Sequence, residues 1–408
     1  SFDIPVVYNK KVKQWIDYFL KRGRPFFERY SERSGRYAPI LGAILEANGL
    51  PRDLIFLAMA ESGFNNKAKS WAKAVGPWQF MPYTGKRYGL KIDWYIDERR
   101  DPIKSTIAAS KYLKKLYKDF DSWELAAAAY NAGEGKVGRA IKRYRSESFW
   151  KIARGRYLKK ETKNYVPKIM ALAIIGKNLN AFGFDDINFH DPLNFDEIDV
   201  PPMTDLIKLS ETIGVEFEEI HRLNPEVLRW FIPPNVISYK LRVPVGSFLK
   251  IRVTDSFWDK HVATDFQKYV VRGRRTRLRD VARKYKIKSK KVLSYLNNLE
   301  PNQHLKRKQT ILLPFRVGQS IKAPMYADLY DRPRKSVVRR RAYRKWIKRA
   351  KRNGRKIVSP KTFYVVKRGD TLWNVAKKFG TSLGTLVVTN YHIIKERRIR
   401  AGDRLIVR

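Results

Sequence analysis

Over residues 12–22 the apolar side chains Val12, Trp15, Ile16, Phe19 and Leu20 recur at helical spacing, which predicts an amphipathic helix. The pattern returns over residues 37–47 and stops at Asn48-Gly49, a pair that ends helices. Pro51 opens the next helix, with Asp53 in its first turn. Leu54-Ile55-Phe56-Leu57-Ala58-Met59-Ala60 is apolar almost all round, so this helix is expected to be buried, and it runs into Glu61-Ser62-Gly63. Further helices are expected over residues 101–120, 122–132, 135–143 and 161–179.

After Phe182 the texture changes to three short segments that look alike. Each reads strand, helix, helix, strand over roughly 45 residues, and such self-similarity marks a repeated small α+β unit. The organisation expected is a helical domain over residues 1–185, then units at 194–246, 267–316 and 362–408. An Asn recurs at matching places, Asn224, Asn297 and Asn390. Residues 325–361 form a strongly basic stretch that includes Arg339-Arg340-Arg341. It reads either as a solvated linker or as an electrostatic tether to an anionic surface.

Composition narrows the function classes. The 408 residues are 43% hydrophobic, which supplies real cores and excludes a wholly disordered chain. The formal charge of +47 asks for a polyanionic partner, either nucleic acid or an anionic cell envelope polymer. No helix-turn-helix, RNA-recognition or zinc-finger signature is present, so no specific nucleic-acid partner is expected. The chain has no cysteine, which excludes a disulfide scaffold and a Cys-ligated metal. Its 5 His are spread out, so neither a metal site nor a cofactor is expected. No apolar run reaches the roughly 18 residues of a membrane span. The start at Ser1 reads as a processed or trimmed chain, and membrane association is expected only through a lipid anchor lost from that end.

Three blocks carry the candidate chemistry. Glu61 follows a wholly apolar helical turn, and desolvation there raises a carboxyl pKa towards the value a general acid needs. The second block, Ala74-Val75-Gly76-Pro77-Trp78-Gln79-Phe80-Met81-Pro82, supplies a turn. Gln79 can hydrogen-bond a sugar or acetamido group. Trp78 and Met81 can form an apolar wall, or Trp78 can pack into the core. In the third block, Ala129-Tyr130-Asn131-Ala132-Gly133-Glu134-Gly135, the Tyr130 hydroxyl faces a cleft or bonds the backbone; residue types alone leave both open.

These blocks, with Tyr88-Gly89-Leu90, Asp97-Glu98-Arg99-Arg100-Asp101-Pro102, Ser105-Thr106-Ile107-Ala108-Ala109 and Glu161-Thr162-Lys163-Asn164-Tyr165-Val166-Pro167-Lys168, resemble in order the goose-type-lysozyme-like lytic transglycosylases, in particular the D type of the membrane-bound lytic murein transglycosylases. The resemblance covers residues 12–178. It implies a multidomain protein: an α-helical lysozyme-like N-terminal domain followed by small α+β LysM-like modules. It also implies a bacterial periplasmic or cell-envelope enzyme, expected as a monomer, acting on peptidoglycan glycan strands with Glu61 as its single acid and base. Ser70, Gln79, Met81, Tyr130 and Glu161 are implied to line the substrate cleft. The repeats resemble LysM modules, which bind N-acetylglucosamine-containing glycans; the first two are degenerate, and in the third Gly369, Asp370, Thr371 and Asn390 are the implied glycan-binding residues. Pro77 stands where the family has an aliphatic residue, and Tyr83 where a small Ser is common. Both lie beside the implied cleft, which puts substrate preference in doubt more than activity.

Overall fold

The computed structural model describes residues 2–251, 255–273, 275–287, 289–317, 363–367, 370, 374–375, 378–379 and 404–406. The chain divides into two units, Ser1–Tyr330 and Asp331–Arg408. The expected basic linker, and Gly369, Thr371 and Asn390 of the last module, lie outside the described residues.

The first unit begins with the helical domain. Helix α1 (Lys10–Leu20) buries Val12, Ile16 and Phe19 and is capped by Asn9, whose side chain accepts from the Lys11 and Val12 amides. Helix α2 (Arg24–Ala47) is longer than its apolar pattern predicts, because only Phe27 and Ser31 are buried before Tyr37. A 3-10 turn (Arg52–Leu54) leads into α3 (Ile55–Ser62), which buries Phe56 through Ala60 as expected. Asp53 is held there by Lys177 at 2.6 Å and by the Asp3 amide at 2.9 Å. Helix α3 stops at Gly63, which has φ +58; a Cβ at this position would meet the Tyr30 ring at 2.0 Å, so the turn needs glycine.

Short α4 (Pro82–Arg87) precedes α5 (Pro102–Phe120), α6 (Trp123–Ala132), α7 (Glu134–Tyr144), α8 (Phe149–Arg154) and α9 (Lys160–Gly176). Helix α3 and the Ala-rich α6 both pack on α9, and one apolar core runs through them from Ile4 to Phe184. Beyond α9 the chain stays on this body: the His190 amide donates to the Glu32 carbonyl, and the Leu193 amide to that of Arg36. Among the described residues, no helix is long and apolar enough to cross a membrane.

Two small α+β units follow. In the first, β1 (Asp196–Val200) pairs antiparallel with β2 (Tyr239–Val243), and α10 (Leu206–Ile213) and α11 (Phe217–Leu223) lie between them in sequence. After the short helix α12 (Asp255–Lys260) the order repeats: β3 (Phe266–Val270), α13 (Leu278–Lys284), α14 (Lys290–Asn297), β4 (Thr310–Arg316). The recurring Asn is explained by this order. The Asn224 amide nitrogen donates to the Ile220 and Arg242 carbonyls while its oxygen accepts from the Arg242 amide. Asn297 does the same with Leu293 and Leu312. In both units it stitches the second helix to the closing strand.

The two units do not stand apart as beads. They share one core, centred on Trp230, Phe231 and Phe266, and that core also takes in Tyr95 and Ile96 from the helical domain. The Leu228 amide donates to the Tyr95 carbonyl, the Asp97 amide to that of Glu226, and the Tyr95 hydroxyl to that of Val292. Deeper still, Arg242 on β2 pairs with Asp101 at 2.9 Å, both side chains being almost wholly buried.

Of the second unit, the described residues include β5 (Phe363–Val365) antiparallel to β6 (Arg404–Ile406), the strand pair expected to close the third module.

Candidate active site

Glu61 occupies the last turn of α3, where the apolar run delivers it to the edge of the core. Burial pushes its pKa up to about 7, against the Tyr165 hydrogen bond and the Lys168 charge, which lower it; Glu161 adds a like charge that raises it. The end of a helix, where the backbone dipole is negative, also disfavours a charged carboxylate. Tyr165 donates its hydroxyl proton to Glu61 Oε1 at 2.5 Å. Lys168 donates to the Ala60 carbonyl at 2.6 Å, and burial lowers its own pKa. The result is a partly exposed carboxyl, held by a phenol and flanked by a cation, that exchanges a proton near neutral pH.

The second block forms a small folded loop beside α3. Backbone bridges join Lys69 to Val75 and Val75 to Phe80. Gly76 turns the chain with φ +85, and a Cβ there would lie 1.7 Å from the Arg99 carbonyl oxygen. The Arg99 guanidinium pairs with Asp97 and donates to the carbonyls of Lys73 and Phe80, fixing the loop from behind. Ser62, next to the acid, donates its hydroxyl to the Pro77 carbonyl at 2.9 Å and ties the loop to the end of α3.

The residues read from sequence separate on this frame. Trp78 is fully buried and donates its Nε1–H to Thr106, so it belongs to the core and is not a cleft wall. Tyr130 takes the backbone alternative, donating to the Trp78 carbonyl at 2.8 Å, yet it is close enough for the Glu61 charge to raise its pKa further. Gln79, at φ +48, turns its amide nitrogen onto the Gly76 and Ala68 carbonyls. Its Oε1 carries no hydrogen bond among the described residues. The Ser70 hydroxyl oxygen accepts from the Ala74 amide and shapes the loop tip. Met81 is 43% exposed, and Glu161 lies exposed on the first turn of α9.

Tyr165 and Lys168 carry contacts to the acid's turn that the sequence reading did not assign. Their signal was present: Glu161, Tyr165 and Lys168 stand at i, i+4 and i+7 and share one face of α9. In the last module Asp370 accepts from the Lys367 amide at 2.8 Å and the Tyr364 hydroxyl at 2.7 Å. Asn224 and Asn297 serve packing in the first two units; Asn390, for which the resemblance implies glycan binding, lies outside the described residues.

Comparison with known proteins agrees with this architecture. Residues 39–153 match the transglycosylase SLT domain, residues 194–253 the LysM-like domain of lytic transglycosylase MltD, and residues 364–408 the LysM domain. The chain is 32% identical over 224 residues to membrane-bound lytic murein transglycosylase D of Escherichia coli (strain K12), covering 54% of this chain and 48% of that protein. It thus spans about half the length of the curated relatives it matches. An inactive mutant of lytic transglycosylase Slt from Pseudomonas aeruginosa aligns at 28% identity and TM-score 0.31, over 35% of this chain and 24% of that one. The 70-kDa soluble lytic transglycosylase of Escherichia coli aligns at 24% and 0.31 over the same shares.

Proposed function

We propose that this chain, which carries a transglycosylase SLT domain followed by an MltD-type LysM-like domain and a LysM domain, is a peptidoglycan lytic transglycosylase of the bacterial cell envelope. Its catalytic portion is residues 1–185, and the LysM-type unit at 362–408 adds affinity for wall glycan. The observation that carries the reading is the single desolvated acid at the end of α3, with a pKa of about 7.

One carboxyl of that kind can serve as acid and then as base. Protonated Glu61 gives its proton to the oxygen linking N-acetylmuramic acid to N-acetylglucosamine, and the C1–O bond breaks. The acetamido oxygen of the same sugar stabilises the cationic C1. The Glu61 carboxylate then removes the proton of the C6 hydroxyl, whose oxygen closes on C1 to give a 1,6-anhydro end. The proton given in the first step returns in the second, so no water is consumed. Tyr165 fits as the residue that orients the carboxyl. Tyr130, Gln79 through its amide oxygen, Met81, Ser70 and Glu161 complete the cleft.

Mass spectrometry of digested sacculi tests this directly. Anhydro ends, one water lighter than reducing ends, are the expected product of wild type. Glu161 near Glu61 gives one reason to keep a lysozyme-type hydrolase as second reading, since two carboxylates can activate a water. Reducing ends as the main product would establish that alternative.

The first step needs protonated Glu61, so kcat/KM is expected to fall as pH rises through about 7. Glu161→Gln removes a like charge, lowers the Glu61 pKa and moves that falling limb to lower pH. Lys168→Met removes a cation, raises the pKa and moves it to higher pH. Opposite displacements in pH–rate profiles check the assignment; a limb that ignores both substitutions belongs to another group.

A further inference from the structure

The two small units of Ser1–Tyr330 share an element order and a core but not a charge. Residues 267–316 hold 16 Lys and Arg against two acids, Asp280 and Glu300, whereas residues 194–246 hold 5 against 9. The surplus is sharpest at one end of the second unit. The loop from β3 to α13 carries Arg272, Arg275 and Arg277, and the loop from α14 to β4 carries Lys306, Arg307 and Lys308. Backbone hydrogen bonds lay these loops side by side. The Lys308 amide donates to the Val271 carbonyl at 2.8 Å, the Val271 amide to that of Gln309 at 2.9 Å, and the Leu305 amide to that of Thr276 at 2.8 Å. Arg277, the one half-buried member, donates from Nε to His304 Nε2 at 3.1 Å; the other five are exposed. Neither loop contains an acid over residues 271–277 and 304–309. The ion pairs of this unit among the described residues, Arg279 with Asp280 and Arg316 with Asp265, lie outside both loops. The corresponding loop of the first unit, residues 201–205, has no cation and is covered by the chain itself: Met203 and Asp205 bond the backbone of Ile232, His261 and Ala263.

Like charges held side by side repel one another, and an anion lying across them relieves that repulsion. Guanidinium forks match carboxylates in shape and charge, and neutral sugars gain little from them. On a strand of alternating N-acetylglucosamine and N-acetylmuramic acid, the acidic group of the sugars is the lactyl carboxyl of each muramic residue. While the strand carries its peptides, that carboxyl is tied up in an uncharged amide. Hydrolysis of the amide consumes one water, releases the peptide with a free amino group and leaves a carboxylate on every second sugar. These carboxylates are fixed to the rings and repeat in register, as the loop cations do; those of the peptides hang on mobile chains.

We infer that the paired loops of the second unit bind glycan strands stripped of their peptides by gripping the lactyl carboxylates, so that an amide-hydrolysing reaction supplies the ligand of this unit. The inference rests on the glycan substrate proposed above. Its test is binding of the full chain carrying Glu61→Gln, which leaves the strand whole, to glycan freed of peptides by an amidase. Affinity is expected to be at least about tenfold higher than for the same glycan with its carboxylates converted to methylamides, since tenfold needs only one modest charge contact. Arg272→Gln/Arg275→Gln/Lys306→Gln/Arg307→Gln is expected to erase that difference. Lys268→Gln/Arg283→Gln/Lys286→Gln/Lys291→Gln removes the same charge from exposed positions elsewhere in the unit and is expected to keep it. Equal affinity for the charged and the methylamide glycan overturns the inference without reference to any loop variant. So do peptide-bearing strands bound as tightly as stripped ones, an equal loss in the second variant, or linear polyphosphate that displaces the strand at lower charge concentration. Failure of the transglycosylase reading looks different: the chain with Glu61 intact then leaves no anhydro ends, whatever the binding measurements show.

Discussion

Glu61→Gln is expected to lower release of soluble muropeptide from purified sacculi by at least about 10²–10⁴-fold, the usual worth of a positioned acid and base. The amide matches the carboxyl in shape and can still accept the Tyr165 hydroxyl, but it has no proton to give and no charge with which to take one back. Stability should hold or rise slightly, because the substitution removes a group whose ionised form is penalised by burial. Parallel thermal unfolding and turnover measurements separate a chemical loss from a folding one. An amide variant that digests walls at the wild-type rate would remove Glu61 from the mechanism, and with it the single-acid reading.

The second large effect concerns the contact between the helical domain and the first small unit. Asp101 does two things at once: Oδ1 caps α5 by accepting the Ile103 and Lys104 amides, and Oδ2 accepts from Arg242. Asp101→Ala leaves buried Arg242 with Glu197, half exposed at 3.5 Å, as its remaining ion pair, a loss expected at up to about 3–5 kcal/mol, and it also deletes a cap worth about 1 kcal/mol. Asp101→Asn has one acceptor oxygen where Asp101 uses two, so it keeps the cap only by turning amide N–H groups towards Arg242; the comparison of the two variants in denaturant unfolding weighs the retained cap against that donor–donor contact. Arg242→Met in the Asp101→Asn background is expected to recover part of the loss, because removing both charges spares the desolvation of two ions. Full additivity of Asp101→Asn and Arg242→Met would mean that the pair is not coupled.

Much of the helical domain was legible because its helices are amphipathic. Helices α1, α5, α6, α7 and α9 sit where apolar spacing puts them. The first half of α2 was not legible, since Phe27 and Ser31 are its only buried positions before Tyr37 and the rest of that stretch is half-buried or exposed. Helix α8, six residues long, offers too little sequence for a period to show. Glu61 could be read locally, from the apolar turn before it. Tyr165 and Lys168 reach it or its neighbour from 104 and 108 residues away along the chain, and only the packing of α9 on α3 brings them in. Tyr95 and Ile96 fall in no element that apolar spacing predicts, because their apolar partners belong to units that begin about a hundred residues later. The repeat pattern revealed the small units but not that two of them share a core.

Because Asp97 both hydrogen-bonds Glu226 of the first small unit and orients Arg99 behind the Gln79 loop, the helical head is not a detachable cassette. Excising it near residue 185 would lay Tyr95 and Ile96 bare, orphan Asp101 and unbrace the loop one link from the acid. The neighbouring modules thus serve as scaffolding for the head as well as cargo behind it, which sets the smallest piece worth engineering at about the whole first unit, Ser1–Tyr330.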